Sequence, residues 1–177
     1  VVDFMKTDEI RHKFSQAMST MYQKEVPLYT ELIELVNEVN ESVMQQQPEI
    51  KQQLINTGEL DRLGAERHGA IRLGTAEELE TMRRLFAVMG MFPVGYYDLT
   101  PAGVPVHSTA FRAVSTEALN ISPFRVFTSL LRLELIEDES LRSKAKQALE
   151  NRNIFTDRAI ELIETFEKQG GLTPEQG

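Results

Sequence analysis

The chain has 177 residues, 41% of them apolar and 26% charged, which is enough for a packed core and excludes wholesale disorder. Nineteen Lys and Arg against 27 Asp and Glu give a net charge of −8, which excludes a general binder of nucleic acid or anionic membrane. The absence of cysteine excludes a disulfide scaffold, a thiolate zinc site and a cysteine nucleophile. No apolar run reaches the length of about eighteen residues that a membrane span needs. The opening Val1-Val2-Asp3-Phe4-Met5-Lys6 has no apolar signal core, so a soluble cytoplasmic protein is the expectation.

Thr7 is placed to cap a first helix whose opening turn carries Asp8 and Glu9, and Ile10, Phe14, Met18 and Met21 follow at helical spacing. Pro27 suits the first turn of a second helix with one broad apolar face of Leu28, Leu32, Leu35, Val36, Val39 and Val43. Pro48 opens a short third helix bearing Ile50 and Leu54, and Gly58 can close it. These stripes are expected to pack as core.

Glu66 to Leu73 lacks helical periodicity and is expected to be a strand. Thr75 and Glu78 form a Thr-x-x-Glu capping box for a helix with Leu79, Met82, Phe86 and Met89 on its apolar face, stopped at Gly90. Met91 to Leu99 reads as a strand, Thr100-Pro101-Ala102-Gly103 as a turn, and Val104 to Phe111 as another strand. After a loop holding Asn120 and Pro123, the apolar run Phe124 to Ile136 fits a strand or a buried helix alike. Helix returns over Glu139 to Asn151, and again after Thr156 with Ile160, Ile163 and Phe166, ending at Gly170-Gly171. The expected fold class is therefore α+β, with a helical segment over 1–64, a strand-helix-strand-strand-strand segment over 65–136 and a helical segment over 137–177. Thr173-Pro174-Glu175 is one more helix start with no helix behind it, and predicts that the chain is part of a longer protein.

Chemistry is sought first at the histidines. His12 lies among polar residues and is expected to be a solvated side chain. His107, within Val106 to Thr109, is expected to be structural or hydrogen-bonded. In a strand, Glu66, His68, Ala70 and Arg72 share one face, and Arg67, Gly69, Ile71 and Leu73 the other. A face carrying carboxylate, imidazole and guanidinium reads as the wall of a polar cavity, since imidazole is the commonest metal ligand and guanidinium the usual fork for a carboxylate. A single histidine fits a structural role equally well. Of the arginines around it, Arg62, Arg67, Arg72, Arg83 and Arg84, the last two fall on the following helix and are expected to be solvated. There is no His-Glu-x-x-His, no phosphate-cradling glycine loop and no Gly-x-Ser-x-Gly elbow.

The strings Glu66 to Thr75, Met89 to Pro93, Tyr96 to Leu99, Gly103 to Arg112 and Asn120 to Leu131 resemble the 2-oxoadipate dioxygenase/decarboxylase family, also called 2-hydroxyglutarate synthase, in its bacterial branch. The likeness runs through essentially the whole chain, including the helical stretch from Phe14 to Tyr29. It implies a longer protein related to the vicinal-oxygen-chelate fold, built from βαβββ modules, of which 65–136 would be one. It implies a non-haem iron(II) held by two His and one Glu, with positions left open for a 2-oxo dicarboxylic acid and O₂. The first ligand matches His68, which would also border the substrate, and the substrate-binding arginine matches Arg72. The second His and the Glu would lie beyond Gly177, in the C-terminal part of the same protein. The chain would then hold one ligand of three and be inactive alone. The implied reaction turns 2-oxoadipate and O₂ into 2-hydroxyglutarate and CO₂, in lysine catabolism.

Spacing adds one expectation of its own. Positions 68 and 72 lie roughly 13 Å apart on one strand face, so an arginine leaning back toward His68 ends within the length of a diacid held there. Arg72 is expected to favour diacids over simple 2-oxo acids. Two other readings stand beside this one. A glyoxalase-like isomerase or ring-cleaving dioxygenase would use His68 with different partners, and a non-enzymatic helical interaction module would use none. Either His107 or Glu134 could line the cavity; the sequence assigns neither.

Overall fold

Capping chemistry and apolar periodicity set the elements of the computed structural model, which describes residues 3–177. Contacts divide the described residues into two units: 13–67, and a second formed by the residues up to His12 with His68–Gly177. The C-terminal helices therefore group with the sheet, and the helical segment runs to Arg67. Helix α1, Thr7–Glu25, contributes to both units.

The helical unit contains the rest of α1, then α2, Tyr29–Gln46, and α3, Pro48–Asn56. Leu28 precedes α2 with a φ of 65°, which reverses the chain, so Pro27 stands outside the helix and not in its first turn. The rings of Tyr22 and Tyr29 meet edge-on at 5.4 Å, and the Tyr29 hydroxyl lies 3.3 Å from Ser19 Oγ and donates to Glu66. Burial, and then the Glu66 carboxylate, hold the Tyr29 phenol above its ordinary range. The apolar stripe of α2 corrects the expectation of core. No residue of α2 is buried, and Leu28, Leu32, Leu35 and Val39 are 73%, 54%, 57% and 52% exposed. An amphipathic pattern says that a helix has a face to cover, and does not say what covers it.

In the sheet unit, β1, His68–Leu73, leads into α4, Ala76–Val88. The antiparallel strands β2, Phe92–Asp98, β3, Val106–Arg112, and β4, Arg125–Leu131, complete a βαβββ module. The sheet order is β1-β4-β3-β2, with β1 parallel to β4. The ambiguous run from Phe124 resolves into β4 followed by a short 3₁₀ turn at Leu133–Leu135. A six-residue helix that the sequence reading placed in a loop, α5, Thr116–Ile121, is capped by Ser115, whose hydroxyl accepts from Ala118 N–H. Helices α6, Glu139–Glu150, and α7, Asp157–Gln169, close the unit, and the Thr156 side chain caps α7 as expected.

Leu73, Phe111 and Val126 put their side chains on one sheet face, where they are buried together with Met82 and Phe86 of α4. The Phe86 and Phe111 rings stand 4.9 Å apart. Val88 of α4, Ile163 and Leu172 form a second cluster with Ile10, Leu85, Leu162 and Phe166.

The start of α4 is fixed from two sides. The Thr75 hydroxyl accepts from Glu78 N–H at 3.1 Å, while the Glu78 carboxylate accepts from Gly74 N–H at 2.6 Å and from the Arg152 guanidinium at 2.9 and 2.7 Å. A Cβ at position 74 would come within 2.1 Å of a Leu149 methyl, so a larger residue here would displace the Leu149 side chain. The Arg152 hydrogen bond, joined by the Gly74 amide, holds the Glu78 carboxyl below its ordinary range against the effect of burial. A carboxylate depressed in the folded state stabilises above its unfolded pKa, about 4.3, and loses that stabilisation as pH falls through the folded value. Glu78→Gln is therefore expected to be less stable than the parent at neutral pH, with the gap narrowing on acidification below about pH 4. Urea melts of both proteins across that range check it; a constant gap would assign the loss to packing.

Candidate active-site face

The strand face opposite α4 carries the candidate residues His68 and Arg72. Alternation along β1 puts His68, Ala70 and Arg72 on that face, and the parallel register pairs them with Arg125, Phe127 and Ser129 of β4. The antiparallel register continues each row into β3, where Arg125 faces Arg112, Phe127 faces Ala110, and Ser129 faces Ser108. On β2 the rows reach Phe92 and Tyr97, with a bulge between Pro93 and Gly95 that keeps both on this face. One row thus reads His68, Arg125, Arg112, Phe92, and another Arg72, Ser129, Ser108, Tyr97. Between them the Tyr97 and Phe127 rings meet at 5.2 Å.

This face is open. His68, Arg72 and Arg125 are exposed, as are Phe92, Tyr97 and Phe127. The expectation of a walled cavity is thus corrected for this chain: the wall exists without its opposite side. Two surface hollows of about 350 and 460 Å³ lie elsewhere, and neither is lined by His68 or Arg72.

Glu66 is a second correction. The strand begins at His68, so Glu66 is not on the shared face; its carboxylate accepts from Tyr29 and, at 2.9 Å, from Arg67 N–H.

The guanidiniums fall into two groups. Arg83 pairs with Glu80, Arg84 with Glu167, Arg132 with Glu134 and Arg152 with Glu78. By contrast, the side chains of Arg72 and Arg125 make no hydrogen bond or ion pair among the described residues, and Arg112 donates only to the Ala113 carbonyl at 3.1 Å. In a chain with net charge −8, guanidiniums without carboxylate partners on one sheet face are groups that could meet an anion from outside. Arg112 and Arg125 were missed in the sequence because their adjacency to His68 is a matter of strand register, which is non-local. The available signal was the two-residue alternation in Arg125-Val126-Phe127, with no acid at helical spacing to pair with it.

His107 and Glu134 lie away from this face. His107 Nδ1 lies 2.7 Å from Arg132 Nη1 and against the Tyr96 hydroxyl, while its Nε2 is 3.5 Å from Asp98 Oδ1. The Thr100 hydroxyl and amide hold the Asp98 carboxyl below its usual range. His107 is thus hydrogen-bonded, as the sequence suggested, and it shares the sheet side of α4, not that of His68. His12, expected to be solvated, is half-buried.

A bound metal needs converging donors. Among the described residues no group of three or more His, Cys, Asp or Glu side chains is placed to hold an ion. His68 fits one donor of a set, and a complete set requires residues outside those described.

A model of the 2-oxoadipate dioxygenase/decarboxylase family matches residues 14–177, and the chain belongs to that family. It is 65% identical over 170 residues to the 2-oxoadipate dioxygenase/decarboxylase of Pseudomonas putida, covering 96% of this chain and 37% of that protein. To the Escherichia coli protein of the same name it is 60% identical, covering 96% and 38%. The crystal structure of the P. putida hydroxyglutarate synthase in complex with 2-oxoadipate superposes with a TM-score of 0.93 at 62% identity, covering 99% of this chain and 39% of that one. The chain therefore spans about two fifths of the relatives it matches.

Proposed function

We propose that this chain is the part of an iron(II)-dependent 2-oxoadipate dioxygenase/decarboxylase that supplies one metal ligand, His68, and one substrate-binding arginine, Arg72. The observation that supports this reading is their joint position on an exposed sheet face whose arginines lack carboxylate partners. The relatives' names give the reaction class, and one relative's structure holds 2-oxoadipate.

Iron(II), when bound, would supply the redox chemistry with O₂ that side chains cannot. The chain's own residues do the binding. His68 offers an imidazole nitrogen at the first position of β1. Arg72, on the same face, offers two parallel N–H groups to the far carboxylate of a diacid. Tyr97 and Phe127 offer an apolar wall for the methylene chain. The overall change balances as 2-oxoadipate plus O₂ giving 2-hydroxyglutarate plus CO₂, with one oxygen atom in the new carboxylate and one in the hydroxyl. The remaining donors come from elsewhere in the complete protein, so the isolated chain turns over no substrate. A cytoplasmic location is part of the same reading; no helix among the described residues is long and apolar enough to cross a membrane.

The test is oxygen uptake by the full-length protein, loaded with iron(II), on addition of 2-oxoadipate. The expected result is equal consumption of O₂ and release of CO₂, with 2-hydroxyglutarate as product. Conversion without O₂ uptake would identify an isomerase instead.

A further inference from the structure

We propose that Arg125 is a second substrate anchor. It binds the carboxylate next to the keto group, at the His68 end of the face, while Arg72 binds the far carboxylate. The inference rests on the reading of this face as a 2-oxo diacid site, and it assigns the near end of the ligand to a residue that reading leaves out.

Register carries the argument. Arg125 is the direct partner of His68 across the β1–β4 ladder, so their backbones are separated by about 4.8 Å, whereas Arg72 stands roughly 13 Å along the strand. The two guanidiniums thus start from opposite ends of one surface, and the six-carbon diacid spans the gap between them as their flexible stems lean inward. Both are exposed and neither has a partner among the described residues. Arg112, next in the same row, already donates to the Ala113 carbonyl. A ligand with two carboxylates meets two uncommitted guanidiniums, one for each end. The forked geometry of arginine matches a carboxylate in two parallel hydrogen bonds, which a lysine cannot reproduce.

The experiment is anaerobic titration calorimetry on the full-length protein with two ligands, 2-oxoadipate and 2-oxohexanoate, which lacks the far carboxylate. R125Q is expected to weaken both by a similar factor, roughly ten- to a hundredfold. R72Q should weaken only the diacid. R125K, which keeps the charge without the fork, should fall between parent and R125Q for both ligands, and it provides a second folded variant. Unchanged binding of both ligands by R125Q would overturn the inference, and so would loss of the diacid alone, which would place Arg125 at the far end. Failure of the underlying reading looks different: R72Q would then retain the preference for the diacid, whatever R125Q does.

Discussion

Arg72→Ala in the full-length protein is expected to erase the preference for 2-oxoadipate over 2-oxohexanoate. A charge-assisted, two-pronged contact contributes about 1.5–3 kcal/mol, so the ratio of kcat/KM values for the two substrates should fall by roughly ten- to a hundredfold. The monocarboxylic substrate should be turned over almost as before, because it never offered the group that Arg72 reads. Stability should change little. The Arg72 side chain has no partner among the described residues; its backbone lies in the β1–β4 ladder, and its carbonyl accepts from Arg152 at 3.5 Å. That separation makes the experiment clean, since a loss of selectivity cannot be traced to a loosened fold. Steady-state kinetics with both substrates decides it, and an unchanged ratio sinks the assignment of Arg72. Arg72→Lys should recover part of the preference through charge alone.

The legibility of this chain follows the range of the interactions involved. Helix starts that depend on a cap and the next three residues were readable: Thr75 with Glu78, and Thr156 before α7, are where the sequence puts them. Glu78 shows where such reading stops. The box predicts its backward reach, and its second partner, Arg152, is 74 residues away. The strand order and the row that joins His68 to Arg125 were equally out of reach, because register is set between segments and not within one. The recognisable strings drew attention to His68 and Arg72, which share one face of β1, while strand alternation alone overextended that face to Glu66 by starting β1 two residues early. The α2 stripe was misread for a related reason. Leu32, Leu35 and Val39 follow the pattern of a buried face and are exposed, so the pattern reported the helix correctly and its surroundings not at all.

The least legible residue is also where the largest loss of stability is expected. Arg11 sits in the polar stretch beside His12, three residues after Asp8, where nothing in the sequence singles it out. In the structure its side chain is fully buried. Its guanidinium donates to Met89 O at 2.9 Å, Ser122 O at 3.0 Å and Ala118 O at 2.7 Å, and pairs with Asp8 at 2.7 Å. Met89 is the C-cap of α4 and Ser122 the C-cap of α5, where carbonyl partners are short and the dipole is negative, while the Ala118 carbonyl within α5 also accepts from Ser122 N–H at 3.0 Å. The fit is close: Gly90, at φ 67°, leaves no room for a Cβ, which would meet Thr7 Oγ1 at 2.9 Å and Arg11 Nη1 at 3.4 Å. Arg11→Met keeps most of the stem volume and removes every polar contact, leaving the Met89 and Ser122 carbonyls without this donor and Asp8 without its cation. The expected cost is about 3–5 kcal/mol, a large part of the stability of an ordinary domain. Arg11→Lys keeps the charge but can satisfy fewer carbonyls, and should recover only part of the loss. Denaturant melts of the full-length protein measure both, with the m-value checked to show that the same transition is compared. A midpoint for Arg11→Met equal to the parent's would mean that these carbonyls find water or other donors as readily as they find Arg11, and that the buried cation fixes the junction of α1, α4 and α5 without stabilising it.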